Sequence, residues 1–539
     1  MTGGGRRAPG AQRGCPGTAR AERGCRCTVA RGARWSTSEG ASLEALRALL
    51  REVSQLEHAS ILMSWDQEVC MPAGGVRARG ASLGFLRNLI HERWASDEIA
   101  RLLDRLDGCF AAESLENAML SVARRQHGLA LKLPPSLTGD RARLSAEARP
   151  VWRHARAAAD WSIFAPLMTK IVAINRELAE AIGYAEHPYD ALLELTEPGM
   201  TTQRLREVFT DIRDAATSLL DSRPPGAEAE SDAFLAGEWD ERAQMQFIRR
   251  VASSLGVDAR SGRIDTSAYP ISNKIGPGDI RMTTNTSPRL LLRGLFGALH
   301  ELGHVLYAQG LDPALEETPL WASPSFGVDE SQSRLFENVL GRSRPFWKFW
   351  FPKLKLAFPG RLDDVPFDAF YVAINRVKPT PILLDADELT YNLHILVRFE
   401  IENSLLDGSL DVRDLPDAWR DGMERHLGVT VRDDAQGPLQ DIHWAGCYIG
   451  AFTSYTIGDL VAAQLMEHAR QAIPGLDSQI ENGELTQLVN WLRTNVHSQG
   501  CRHSPEGLLT RVTGRGLSTA PWIRYITQKT ADLETVRAS

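Results

Sequence analysis

At 539 residues, with 61 Lys and Arg against 68 Asp and Glu, the chain has a net charge of -7 and a pI near 6.1. That balance lacks the basic footprint of a nucleic-acid binder, and no apolar run reaches the roughly 18 residues of a membrane-spanning helix. Seven cysteines (Cys15, Cys25, Cys27, Cys70, Cys109, Cys447 and Cys501) follow neither a disulfide framework nor a zinc-ribbon spacing, which fits a reducing cytoplasm.

Residues 1–40 set Arg6, Arg7, Arg13, Arg20, Arg23, Arg26, Arg31 and Arg34 among Gly, Ala and Pro, opposed by Glu22 and Glu39. Such a segment cannot bury a core and is expected to be a disordered extension, or the product of a start codon assigned too early; no apolar stretch follows Arg6-Arg7 to make a signal sequence. From Ser42 the apolar period is helical. Leu43, Leu46, Leu50 and Val53 repeat at three and four; Ser96 caps a helix carrying Ile99, Leu102, Leu103 and Leu106; Leu205, Val208, Phe209, Ile212 and Leu219 follow Thr202 in the same way. Breaks are predicted at Leu133-Pro134-Pro135, Glu197-Pro198-Gly199 and Pro224-Pro225-Gly226. Residues 256–289 depart from helix: the alternating runs Arg263–Thr266 and Asp279–Thr284, set among Gly and Pro, predict a small β-hairpin or ribbon. Backbone groups on such a strand can receive an extended peptide.

Next comes His300-Glu301-Leu302-Gly303-His304, an HExxH motif inside the apolar segment Leu290–Ala308. On a helix, His300 and His304 lie on one face and can offer imidazole nitrogens to one zinc ion. Glu301, turned about 100° away, faces the remaining position, where it can take a proton from water. A catalytic zinc needs a third protein ligand, and the downstream candidates are Glu316, Glu317, Asp329, Glu330 and Glu337. Glu316 and Glu317 follow His304 by only 12 and 13 residues, a tight return. Glu330 lies in a helical stretch, Asp329–Glu337, far enough along for a second helix to pack on the first; it also reads as an ordinary acid of a helix N-terminus.

Several further stretches share a pattern. Trp65-Asp66-Gln67 with Met71-Pro72, Asp279-x-Arg281-x-Thr283, the HExxH, Glu330-Ser331-Gln332-Ser333-Arg334, Ala386–Asn392 and Gly437-x-x-Gln440-Asp441-x-His443-Trp444 together resemble the carboxypeptidase Taq family of zinc metallocarboxypeptidases. The resemblance runs from about residue 42 onward. It implies a mainly α fold, with residues 41–539 as one helical domain around a long active-site groove and the β-ribbon beside the motif helix. It implies one zinc per chain, held by His300, His304 and Glu330, although cobalt or manganese fits the same ligands. It further implies a homodimer, and release of C-terminal residues from peptides or peptide-like small molecules. Tyr455 and His443 are the candidates to steady the oxyanion. Asp279, Arg281, Thr283, Gln440 and Asp441 are the candidates for substrate binding.

Three departures from that pattern stand out. The family's His-Pro-Phe is Tyr269-Pro270-Ile271, its His-Glu-Ser is Asp329-Glu330-Ser331, and its Ile-Arg-x-x-Ala-Asp is Ile382-Leu383-Leu384-Asp385-Ala386-Asp387. At Leu383 the arginine associated with gripping the substrate's terminal carboxylate is gone, and an alkyl group has no donor to replace a guanidinium fork. Arg281, Arg376 and Lys378 are the candidate substitutes. Beside the metallocarboxypeptidase, two other readings stand: a zinc amide hydrolase that does not need a free C-terminal carboxylate, and a noncatalytic homologue.

Overall fold

The computed structural model describes residues 37–223, 232–267 and 270–538. The Arg-rich stretch up to residue 36, the break at Pro224-Pro225-Gly226 and Tyr269 lie outside the described residues. Twenty α-helices and one three-stranded sheet make up most of the rest. The first helix, Thr37–Val69, buries Leu43, Leu46, Leu50 and Val53, the apolar positions of its sequence period. Ser96 accepts the amide of Ile99 as an N-cap should. The helix Thr202–Asp221 is capped by Thr201, one residue earlier than the sequence period suggests. Proline ends the helix before residue 133 and opens the next at Pro135, because it lacks an amide hydrogen but suits the first turn.

The sheet is richer than a hairpin. Its strands are β1 (Gly262–Thr266), β2 (Ile271–Gly276) and β3 (Asp279–Thr284), in the order β1-β3-β2. The two runs read from the sequence, β1 and β3, pair in parallel, and the hairpin is β2 with β3. Gly278, at φ +74°, supplies the left-handed residue of the Gly276–Asp279 turn behind Pro277. The Thr284 hydroxyl donates to Gly294 O (3.1 Å), stitching β3 to the motif helix, Leu291–Gly310.

The elements close a circuit around the motif. The motif helix packs on β2 and β3, and β2 packs under the first helix. That helix packs on Val76–Trp94, which meets Pro135–Ala158, which in turn lies against the short turn Trp444–Gly446. The following helix, Thr453–Ala472, packs along the acidic helix Phe326–Arg334, and the acidic helix returns to the motif helix. The largest apolar cluster runs through these elements from Leu43 to Ile526.

Candidate metal centre

Two glycines let three helices approach closely enough to build the site. A side chain at Gly303 would collide with the backbone of Gln332 and Ser333, and one at Gly458 would come within 2.8 Å of Glu330 Cβ. The acidic helix is thus wedged between the motif helix and Thr453–Ala472, with Glu330 turned toward the histidines. Ser325 caps its start by accepting the Val328 amide (3.1 Å). Its end runs into a π-helical turn, Leu335–Leu340, which carries Glu337.

His300, His304 and Glu330 each place one ligand atom within 4.8 Å of the others. Glu330 Oε2 lies 3.5 Å from His300 Nε2 and 3.8 Å from His304 Nε2. Both imidazoles are oriented from behind: His300 Nδ1 donates to Glu337 Oε2 (3.0 Å) and His304 Nδ1 to Asp329 Oδ1 (3.1 Å). Holding Nδ1–H in this way fixes the tautomer that presents an Nε2 lone pair, the arrangement found behind metal-binding histidines. Glu337 is itself clamped by Arg334 Nη1 (3.2 Å), whose other nitrogens grip Asp459 (2.6 and 3.3 Å). Burial opposes the charge on Glu337, yet Arg334 and His300 hold its carboxyl down to about 2. Burial likewise opposes a charge on His304, but Asp329, Glu330 and Glu301 overcome it and raise the imidazole to about 10. The pocket therefore calls for positive charge between its carboxylates, and its donor set of two imidazoles and a carboxylate suits zinc.

Glu301 is buried, its carboxyl raised mainly by that burial while the Ser272 hydroxyl of β2 steadies it. Tyr455 has its hydroxyl pushed well above the ordinary value by burial and by Glu330, Tyr391, Asp441 and Glu301. His443 donates from Nδ1 to Asp441 Oδ1 (3.2 Å), and its ring lies 4.5 Å from Phe452 and 6.3 Å from Tyr455. Asp441 is held by Arg398 (3.0 and 3.3 Å), and Gln440 spends its amide on Arg398, on the Leu383 amide and on the carbonyls of Pro381 and Gln436. These two residues brace His443 and the Leu383 turn.

The candidate residues of β3 are engaged with near neighbours. Arg281 is engaged twice by Asp279 (2.7 Å each) and stacks 4.7 Å from the centre of the Trp65 ring. The Thr283 hydroxyl is tied to Ser267 (2.7 Å) and to the Ile271 amide (3.1 Å). Arg376 pairs with Asp232 (3.1 Å), Lys378 is exposed, and Glu317 pairs with Arg51 (2.6 Å). Leu383, 7% exposed, packs into the main apolar cluster. The backing roles of Asp329 and Glu337 went unread in the sequence, where both stood only as rival ligands. Spacing placed Glu337 alone near the face of Glu330, seven residues on, without distinguishing a backing role from a ligand's. Lys274 of β2 was missed too; its ammonium stacks on Trp321 (4.4 Å) and faces Asp329 and Glu57, with burial lowering it to about 8.

Comparison with known proteins agrees with this architecture. The family model described as carboxypeptidase Taq (M32) metallopeptidase matches residues 45–530. Thermostable carboxypeptidase 1 of Thermus thermophilus is 36% identical over 506 residues, 92% of this chain and 99% of that protein. Carboxypeptidase 1 of Bacillus subtilis is 34% identical over 90% of this chain and 97% of its own length. The crystal structure of an M32 carboxypeptidase from Deinococcus radiodurans R1 superposes with a TM-score of 0.88 at 34% identity, covering 92% of this chain and 99% of that one. With matched sequence, matched fold and two histidines and a glutamate grouped closely enough to hold a metal ion, the chain belongs to the carboxypeptidase Taq (M32) metallopeptidase family and is a hydrolase of the metallocarboxypeptidase class.

Proposed function

We propose that this metallocarboxypeptidase holds one zinc ion through His300 Nε2, His304 Nε2 and Glu330, and removes residues from the free C-terminus of peptides. The observation that carries the reading is the convergence of both Nε2 atoms on Glu330 Oε2, with each Nδ1 anchored by its own carboxylate. When bound, a divalent ion supplies Lewis acidity, polarising the scissile carbonyl and acidifying water. The Glu301 carboxylate takes the proton of the attacking water and later delivers it to the leaving amine. Its burial raises its affinity for that proton, which helps it hold the proton between the two transfers. Tyr455 keeps its phenol protonated in this acidic setting and offers it to the developing oxyanion. His443, oriented by Asp441 with Arg398 behind, is assigned as the second donor to the oxyanion, a role that requires hydrogen on both ring nitrogens.

Asp279, Arg281 and Thr283 shape β3 beside the site, and Gln440 and Asp441 shape the wall that carries His443; we assign these five to holding the substrate through the surfaces they brace. The protein is proposed to act as a homodimer in a reducing cytoplasm, in keeping with Cys70, Cys109, Cys447 and Cys501 being free thiols. No helix among the described residues is long and apolar enough to cross a membrane.

The test is mass spectrometry of paired peptides with free and amidated C-termini after incubation with the zinc-loaded protein. Stepwise loss of residues from free ends only is the expected result. Cleavage of both would favour the amide hydrolase with an altered substrate, a reading that the packed alkyl chain of Leu383 keeps alive. Cleavage of neither would favour a noncatalytic homologue.

A further inference from the structure

Three arginines gather where the helices Val76–Trp94 and Pro135–Ala158 meet the turn that follows His443. Arg141 Nη2 donates to Cys447 O (2.8 Å), and the guanidinium lies 5.8 Å from the centre of the half-exposed Tyr448 ring. Arg141 Nε is buried without an acceptor. Arg149 reaches the same turn: a methyl group on Gly446 would sit 3.6 Å from its Nη2. Arg87 faces Arg141 from the neighbouring helix, and burial together with that charge lowers the Arg141 guanidinium from its ordinary value.

Among the described residues, no carboxylate lies within 4.0 Å of any of the three. The acids of Pro135–Ala158 are committed elsewhere, Asp140 to Arg143 and Glu147 to Lys170. Like charges gathered at a partly desolvated point are costly unless an anion joins them. A guanidinium fork matches a carboxylate with two parallel hydrogen bonds.

The cluster is tied directly to the catalytic wall. His443 O accepts from the amides of Gly446 (2.9 Å) and Tyr448 (3.1 Å), so the imidazole and the arginines stand at the two ends of one tight turn. Leu383 brings no cation, and Arg281 and Arg376 are already spent on Asp279 and Asp232. We propose that Arg87, Arg141 and Arg149 form a carboxylate-binding subsite for the peptide substrate, an inference that rests on the carboxypeptidase reading. The carboxylate comes from an acidic side chain of the peptide or from its C-terminus.

The test is equilibrium binding of N-dansyl peptides to the zinc-loaded Glu301→Gln protein, followed by fluorescence anisotropy. Three peptides are compared: one with an internal glutamate, its glutamine counterpart, and that counterpart amidated at the C-terminus. If the cluster takes a side chain, the glutamate peptide binds about tenfold tighter than the glutamine peptide, as befits a hydrogen-bonded charge. That gap closes in Arg87→Gln/Arg149→Gln, which leaves the Arg141 bond to Cys447 in place. If it takes the terminus, the gap between free and amidated peptides closes instead. Both gaps persisting in the double variant would overturn the subsite. Each single variant is measured as well, so that a double variant that fails to fold still leaves an answer. Failure of the unmodified protein to shorten any of these peptides would refute the hydrolase reading, and the binding gaps would still decide the subsite.

Discussion

Asp329 directly precedes Glu330, and its carboxylate is what His304 leans on. Replacing Asp329→Asn keeps the shape but removes the charge from a 3.1 Å bond to Nδ1. Losing the outer partner of a metal-binding histidine costs about 10- to 100-fold in metal affinity, or about 1.4 to 2.7 kcal/mol. The Asp329 side chain is 44% exposed, against 16% for Glu337, so solvent screens its contribution and the lower end applies, about tenfold. Glu337→Gln, which also strips a partner from buried Arg334, falls at the upper end, about 100-fold. Competition with a zinc chelator at fixed pH measures both, and melting of the metal-free proteins separates metal retention from folding. Asp329→Asn is expected to leave that melting temperature within about 2 °C. Zinc affinity unchanged within twofold in Asp329→Asn would refute the reasoning, as would a collapse in stability that accounts for the loss.

Glu301→Gln should retain zinc while losing at least about a thousandfold in turnover, because the proton acceptor disappears and the ligands stay; loss of metal in parallel would contradict its role as base. Metal-free protein should melt progressively lower as pH rises from 6.5 toward about 10, because His304 is raised in the fold and its contribution is complete below the unfolded value and gone above the folded one. The zinc-loaded protein should lack that slope; parallel pH curves would show that His304 does not carry the effect. Gly303→Ala should cost about 1 to 3 kcal/mol in stability by forcing the motif and acidic helices apart, and should weaken zinc binding with it; unchanged melting in scanning calorimetry would mean the two helices have slack.

The helical body was legible because its apolar residues keep a period near 3.6, and Leu43, Leu46, Leu50 and Val53 are buried as that period requires. The candidate histidine pair was legible because His300 and His304 share a helix face, whereas Glu330 stood out from the other downstream carboxylates only through the family resemblance. The sheet was harder. β2 carries Asn273, Lys274 and Gly276, which show no alternation, since its outer face is covered by the first helix and its inner face meets the motif helix. Without β2, the two visible runs looked like partners in a hairpin. Arg281 stands in the sequence as a candidate substitute for the missing arginine, although Asp279, two residues back, lies on the same strand face and pairs with it. Asp329 and Glu337 could not be told from ligands, because spacing assigns a helix face and not which nitrogen of an imidazole a carboxylate meets.

The central claim is the identity of the metal ligands, and an anomalous difference map at the zinc absorption edge tests it most directly. The account predicts one peak per chain, bonded to His300 Nε2, His304 Nε2 and a Glu330 oxygen, with Asp329 and Glu337 still on the two Nδ1 atoms. A peak coordinated by Asp329 or Glu337 in place of Glu330, or none at these residues in zinc-soaked crystals, would contradict it.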